Sequence, residues 1–323
     1  MSEFPWLDSL QGAAAVDVAA RSGLLTALAD GGHGAECPAL LATLLVGAGV
    51  AVQADGRLAL TPDFARVWQG DAASVMARAA FLRRAAADVA TGLDDLVADL
   101  PGFMQRSATF RLFRYDMAEG TTPQHLAATR PWVDYVEALS RSEIPHLVPL
   151  IDIRKNDRIL EIGGNTGLLA EALIATGDGV TAQVLDLPAV CALGQQRRCA
   201  PGLRFVAGDA RKPGALDSFR GQVDVVLFKS VLHDWPEDDA SRMLAQAIDI
   251  LPQGGRIVIC ERGVFGVDDA SGKGVTTLAN LVFAPFYRDA GFYVAIMQDK
   301  GLSVSREQVA LDMVFHVTTG QRP

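Results

Sequence analysis

Apolar and polar positions follow two different periods along this chain, and the change of period divides it. From Ala13 to Ala29 the apolar positions Ala13, Val16, Ala20, Leu24, Leu25 and Leu28 recur at helical spacing, and Gly31-Gly32 ends the helix they predict. A second helix is predicted from Pro38 and leads into a hairpin, so this segment has room for one helix before the hairpin and Thr61-Pro62. That hairpin joins Val50–Val52 to Leu58–Leu60 through Ala54-Asp55-Gly56-Arg57. Asp-Gly suits such a turn because both central residues take positive φ. Residues 72–150 continue mainly at helical period, and Pro145 and Pro149 mark the entrance to a second domain. Beyond them come short apolar runs at Arg158–Ile162, Ala182–Leu185, Leu203–Val206, Val225–Phe228 and Gly255–Glu261, with a helical pattern beginning near Leu168 after the first. That order predicts an α/β sheet. After Gly301-Leu302, the alternation of Val309, Leu311, Met313 and Phe315 predicts closing antiparallel strands. The division expected is therefore residues 1–148, mainly helical, and residues 149–323, α/β.

The chemistry lies at the ends of those strands. The fourth run leads through Lys229-Ser230-Val231-Leu232 into His233-Asp234-Trp235, after which Pro236 and Glu237-Asp238-Asp239 open a helix with acidic residues at its positive pole. His233 thus follows the carboxyl end of a buried strand, where open α/β sheets place their ligands. An imidazole there can take a proton from an incoming hydroxyl. Taken alone, a structural histidine at a helix start is the commoner case, and the upstream loops alter the balance. The first strand ends in Gly163-Gly164-Asn165-Thr166-Gly167, a turn that lets a ligand approach the backbone closely. It is not a G-x-G-x-x-G dinucleotide fingerprint, since Asn165 stands at the second glycine. The second strand ends at Asp186-Leu187-Pro188, where a carboxylate can hold ribose hydroxyls, and the third at Gly208-Asp209-Ala210. The fifth ends in Glu261. If the fourth and fifth strands are neighbours, Glu261 lies beside His233 and orients its ring; otherwise it is a solvated acid paired with Arg262.

With these loops in order, the chain resembles the class I S-adenosylmethionine-dependent O-methyltransferases, in particular the plant-type small-molecule family with bacterial members. The resembling motifs are Leu160–Gly167, Asp186-Leu187-Pro188, Gly208-Asp209-Ala210 and Lys229–Trp235. The resemblance implies a Rossmann-like methyltransferase sheet behind an N-terminal, winged-helix-like dimerisation domain. It implies that S-adenosylmethionine binds with Gly163 at its methionine end, Asp186 on the ribose, Asp209 and Ala210 at the adenine, and Lys229 reaching the cofactor region. His233 is then the general base that removes the acceptor hydroxyl proton, helped by Glu261 and Asp234. No metal is implied. Three positions depart from the family pattern. Tyr287 stands where a second orienting glutamate is common, with Asp289 as a fallback; Ala210 replaces a larger apolar residue; and Asn165 interrupts the glycine turn.

Composition narrows the reading. With 323 residues and 50% hydrophobic content the chain can bury two cores. A net charge of −9 opposes nucleic-acid and anionic-membrane surfaces, and no Lys/Arg-rich recognition helix accompanies the winged-helix pattern. Cys37, Cys191, Cys199 and Cys260 lack zinc or CxxC spacing and read as reduced thiols. Glu3 and Asp8 lie in a start without a basic-then-apolar signal pattern, and the run Ala39–Val52 is shorter than the about 20 residues of a membrane span. A cytoplasmic homodimeric enzyme acting on a small aromatic acceptor is expected. His33, His125, His146 and His316 are given structural roles. Of Phe103, Phe110, Phe113, Tyr115, Trp132 and Tyr135, most are expected in core or dimer packing and one or two against a flat acceptor, with Phe283, Phe286 and Tyr287 as a second apolar wall. Two alternatives stay open: N- or C-methylation, and a cofactor-binding relative that decarboxylates, hydroxylates or cyclises instead. A ligand-sensing or DNA-binding module is the non-enzymatic alternative.

Overall fold

A computed structural model describes residues 5–32, 37–271 and 274–323; Glu3 and His33 lie outside them. The chain divides into two compact units, residues 1–113 with 266–283, and residues 114–265 with 284–323.

The first unit begins with α1 (Leu10–Arg21), α2 (Leu24–Ala29) and α3 (Ala39–Gly47), so the single helix expected over Ala13–Ala29 is two. Ser22 ends the first, and Gly23, in the left-handed region at φ +78°, starts the second. A residue without Cβ takes that conformation freely, and the helical apolar period runs unbroken across the corner. Among the described residues three short α-helices therefore precede the hairpin of β1 (Ala51–Ala54) and β2 (Arg57–Leu60), where two helices are expected from the sequence. Its turn residues Asp55 and Gly56 have φ of +52° and +70°, the mirror-image turn expected from the Asp-Gly pair. Thr61 caps α4 (Pro62–Ala98), which leaves helical geometry at Asp71, whose carboxylate accepts from the Ser74 N–H and caps the remainder. After α5 (Leu100–Arg106), the buried Asp88 carboxylate accepts from the Ser107 hydroxyl (2.6 Å) and from the Ala108 and Thr109 N–H groups.

The second unit starts with a 3-10 turn at Tyr115–Glu119 and α6 (Pro123–Leu147). Then come β3 (Arg158–Ile162), α7 (Leu168–Ile174), β4 (Thr181–Asp186), α8 (Pro188–Arg197), β5 (Leu203–Ala207), β6 (Val225–Lys229), α9 (Glu237–Ile250) and β7 (Arg256–Arg262). The chain returns to the first unit for α10 (Val267–Ala270) and α11 (Thr276–Phe283), then completes the second with α12 (Ala290–Asp299), β8 (Ser303–Ala310) and β9 (Val314–Gln321). Pro236 precedes α9 at its N-cap rather than occupying the first helical position. The alternation from Val309 to Phe315 straddles the turn between β8 and β9 rather than lying on one strand.

The seven strands run in the order β5-β4-β3-β6-β7-β9-β8. β3 to β7 are parallel, and β9 pairs antiparallel with both β7 and β8. Side chains alternate across this sheet into two cores. Leu160, Ile162, Val226, Phe228, Ile257 and Ile259 face the side covered by α9 and α12. Ile159, Val225, Leu227, Val258 and Cys260 face the side covered by α6 and α7. The strand order turns back between β3 and β6, which is where open α/β sheets form a ligand crevice. No helix among the described residues is long and apolar enough to cross a membrane.

Candidate active site

Strand parity decides where each polar residue at the strand ends goes. On β6 and β7, Lys229 and Arg262 continue the series that faces α6, and there both meet Glu143. Lys229 also donates to the Ser140 hydroxyl at 3.0 Å, and Arg262 holds Glu143 at 2.5 Å and Asp312 at 3.1 Å. All three of Lys229, Glu143 and Arg262 are buried. Burial would raise the Glu143 pKa, but the two cations dominate and bring it down to about 2. The alternative pairing of Glu261 with Arg262 is thus not what forms.

Glu261 falls on the opposite face, with Ile257 and Ile259, and meets the turn that follows β6. Ser230, at φ +54°, turns the chain off the strand, and a 3-10 turn at Leu232–Asp234 carries His233. One oxygen of Glu261 accepts from the Val231 and Leu232 N–H groups at 2.9 and 2.8 Å. Its other oxygen lies 2.6 Å from Nδ1 of His233. A carboxylate at that distance fixes the proton on Nδ1, so Nε2 is the basic atom of the neutral ring. Burial lowers the imidazole pKa, but the Glu261 and Asp234 charges outweigh it and hold it above the usual 6.5. Burial likewise opposes ionisation of Glu261, whose pKa nevertheless falls through the charge and hydrogen bond of His233. Asp234 Oδ1 stands 3.4 Å from Nε2, and Asp234 Oδ2 accepts from the Tyr115 hydroxyl at 2.9 Å.

The crevice side is built by the turn after β3. Gly163 has φ +66°, and a Cβ there would stand 2.6 Å from Cγ2 of Val231 on the His233 turn. The two loops therefore touch only because this residue lacks a side chain. Asn165 takes the left-handed region at φ +53°, which Asn tolerates, and its amide donates to the Val133 carbonyl on α6. Asp186 accepts from the Asn165 and Leu187 N–H groups at 2.8 and 2.7 Å, and burial raises its pKa to about 7. Glu161 accepts from the Ala170 N–H at the start of α7, and burial raises it to about 8. Asp209 is held by the Arg211 guanidinium through two hydrogen bonds of 2.9 and 2.8 Å. Arg211 in turn lies 4.0 Å over the Trp235 ring. Ala210 is buried in the core beneath β6, with its carbonyl accepting from Gln246.

The structure brings together His233, Glu261 and Asp234. It sets Gly163 and Asp186 at the adjoining turn and Asp209 and Ala210 one strand further out. Lys229 points to α6. Tyr287 packs edge-on against His233 with ring centroids 5.4 Å apart, whereas Asp289 caps α12 by accepting from Gly291 N–H. Most of the aromatics noted in the sequence pack on one another, as core packing expects. Phe103, Phe110, Phe113 and Phe283 pack among themselves with Phe81 in the first unit, and Tyr115, Trp132 and Trp235 pack together in the second. Two residues went unread in the sequence. Arg288 clamps the His233 turn by donating to the carbonyls of Leu232 (2.6 Å) and Trp235, and Glu143 joins the ends of β6 and β7 to α6. Arg288 sits between Tyr287 and Asp289, so its position was visible while its partners were not.

A family model described as an O-methyltransferase domain matches residues 129–301. Among curated relatives, a 3-hydroxy-5-methyl-1-naphthoate 3-O-methyltransferase of Streptomyces sahachiroi is 34% identical over 126 residues, 39% of this chain and 36% of that protein. An L-tyrosine C(3)-methyltransferase of Streptomyces lavendulae is 27% identical over 161 residues, 49% of this chain and 42% of that one. The matches thus span less than half of those relatives. Over nearly the whole chain, the fold is that of human N-acetylserotonin methyltransferase solved with S-adenosylmethionine, with a TM-score of 0.67, 16% identity, and 97% and 94% of the two chains covered. The O-methyltransferase NcsB1 from neocarzinostatin biosynthesis, solved with S-adenosylmethionine and 2-hydroxy-5-methyl naphthoic acid, gives a TM-score of 0.67 at 18% identity, covering 98% and 97%.

Proposed function

Because the chain belongs to the O-methyltransferase domain family, we propose that it transfers the methyl group of S-adenosylmethionine to a hydroxyl of a small aromatic acceptor. The observation that carries this reading is the 2.6 Å bond between Glu261 and His233 Nδ1, which leaves Nε2 basic at the end of β6. Nε2 takes the acceptor's hydroxyl proton as its oxygen becomes the nucleophile, because a phenol with a pKa of about 10 is weakly nucleophilic until a base assists. Glu261 orients the ring and stabilises the imidazolium that forms. Asp234 adds a second negative charge beside Nε2. Tyr287 packs against the imidazole and contributes no charge of its own.

The residues across the crevice fit the cofactor. Gly163 presents bare backbone where any Cβ would collide with Val231, Asp186 offers a buried carboxylate to hydroxyl donors, and the Asn165 Oδ1 is buried without a partner among the described residues. When bound, S-adenosylmethionine supplies an electrophilic methyl group on a sulfonium. We assign Gly163 to its methionine end and Asp186 to its ribose. Asp209 with Ala210 belongs at its adenine, and Lys229, held by Glu143 and Ser140, in the cofactor region at the end of β6. Gly163→Ala is expected to weaken cofactor binding about tenfold by calorimetry, since the new Cβ is both strained and crowded. Unaltered affinity would remove Gly163 from the site.

The proposal is tested with methyl-labelled S-adenosylmethionine and a panel of phenols and hydroxynaphthoates, following labelled ether and S-adenosylhomocysteine together. Label on ring carbon instead would favour C-methylation, for which the tyrosine-methylating relative is the precedent. Cofactor binding without any S-adenosylhomocysteine on the whole panel would favour a non-methylating reaction, the reading that the neutral Tyr287 supports. We also propose a homodimer formed through the first unit, where Leu40 and Val97 are 72% and 80% exposed. Four unpaired cysteines fit a reducing, cytoplasmic setting.

A further inference from the structure

His233 stands between two carboxylates, and they are held in different ways. Glu261 bonds Nδ1 directly. Asp234, the next residue, is close enough to Nε2 for attraction, yet at 3.4 Å it makes no hydrogen bond to it. What keeps it there comes from a distant part of the sequence. The Tyr115 hydroxyl donates to Asp234 Oδ2 at 2.9 Å. Tyr115 cannot follow the carboxylate, because its ring is fixed edge-on to Trp132 (5.2 Å) and against Trp235 (5.3 Å).

We propose that Tyr115 is a positioning residue, whose hydroxyl holds the Asp234 carboxylate off Nε2 of His233 and so leaves that nitrogen open to the acceptor hydroxyl. This rests on the reading of His233 as the base. Without the hydroxyl, Asp234 Oδ2 loses its donor, and the strongest remaining donor beside it among the described residues is the Nε2–H of the imidazolium. Both ring nitrogens would then be committed to carboxylates, and the proton would be harder to lose. The groups facing His233 are Glu261 and Arg262 from β7, Asp234 from its own turn and the Tyr287 ring. Those facing Asp234 are Tyr115, His233 and Glu261. Those facing Tyr115 are Asp234, Asp186 and Arg211. Arg262 keeps Glu143 and Asp312, and Arg211 keeps Asp209, so neither is released by the change.

The test is Tyr115→Phe, which retains the ring packing and removes only the hydroxyl. The His233 ring is titrated by NMR in the cofactor-free protein, with its resonance assigned by its absence in His233→Ala. The imidazole pKa is expected to rise by about one unit. The acid limb of kcat/KM against pH should move with it, with activity recovering at high pH and cofactor KM unchanged. In an Asp234→Asn background, Tyr115→Phe should no longer move the imidazole pKa, because the charge it restrains is gone. An unmoved titration in Tyr115→Phe, or a shift that persists in Asp234→Asn, overturns the proposal. So does a uniform loss of rate with the acid limb in place, the mark of a merely structural role. The NMR readout needs no turnover, so it decides the role of Tyr115 separately from whether the parent protein forms S-adenosylhomocysteine.

Discussion

Replacing His233 with alanine is expected to lower the rate of methyl transfer by about a thousandfold, within the range that positioned general bases contribute, with cofactor affinity little changed. The two effects separate because the residues that would grip the cofactor lie on other loops. Gly163, Asp186 and Asp209 follow β3, β4 and β5, whereas His233 follows β6 and contributes through its ring alone. Glu261 would still be bound by the Val231 and Leu232 N–H groups, and Arg288 would still clamp the turn, so the backbone is expected to survive the change. The pH dependence has a definite sign. The active form is the neutral ring, and the folded pKa lies above the usual 6.5 because Glu261 and Asp234 outweigh burial. The parent rate should therefore rise with pH through a value above 6.5, and the alanine variant should lose that limb. Steady-state rates on the accepted phenol, measured across pH for both proteins, check this. Equal rates for the two proteins would show that the hydroxyl proton leaves by another route.

The parts legible in the sequence were those encoded by local backbone chemistry. Asp55-Gly56 specified a mirror-image turn, and the glycine turn after β3 specified a close approach, because each depends on which residues can take positive φ. The link between Glu261 and His233 followed from a single assumption, that the strands ending in each are neighbours, and β6 does pair with β7. What could not be read were partners supplied by helices and turns far along the chain. Nothing in the spacing of Ser140 and Glu143 says that α6 turns both toward Lys229, 89 residues from Ser140, since that depends on how the helix is rotated against the sheet. The same holds for Tyr115, 119 residues from Asp234. Gly23 was missed for the opposite reason: the helical apolar period continues through it, so periodicity alone hid the corner. Asp289 read as a spare carboxylate for the base, whereas its place directly before Ala290 makes it a helix cap.

Glu143→Ala is expected to destabilise the second unit by about 4 kcal/mol, the cost typical of breaking a buried ion pair from one side. The carboxylate lies between Lys229 at the end of β6 and Arg262 at the end of β7, all of them buried. Arg262 would keep Asp312, but Lys229 would be left with the Ser140 hydroxyl as its hydrogen-bond partner among those described. A buried ammonium so placed has lost its solvent and its counter-charge together. Adding Lys229→Met should recover part of the loss, because it removes the buried ammonium that Glu143→Ala strands, while the space left by the glutamate side chain remains. The pH arm follows from the same pairing. The folded pKa of Glu143 is about 2, below its ordinary 4.5, so the proton binds the unfolded chain more readily. The carboxylate therefore contributes stability of about 3 kcal/mol that is fully present above 4.5 and is lost as pH falls towards 2. Denaturant titrations of the parent and of Glu143→Gln should differ by a constant amount from about pH 6 to 8 and converge progressively below about pH 4.5. A gap that keeps its full size into acid would mean that the ion pair is not what joins α6 to the ends of β6 and β7.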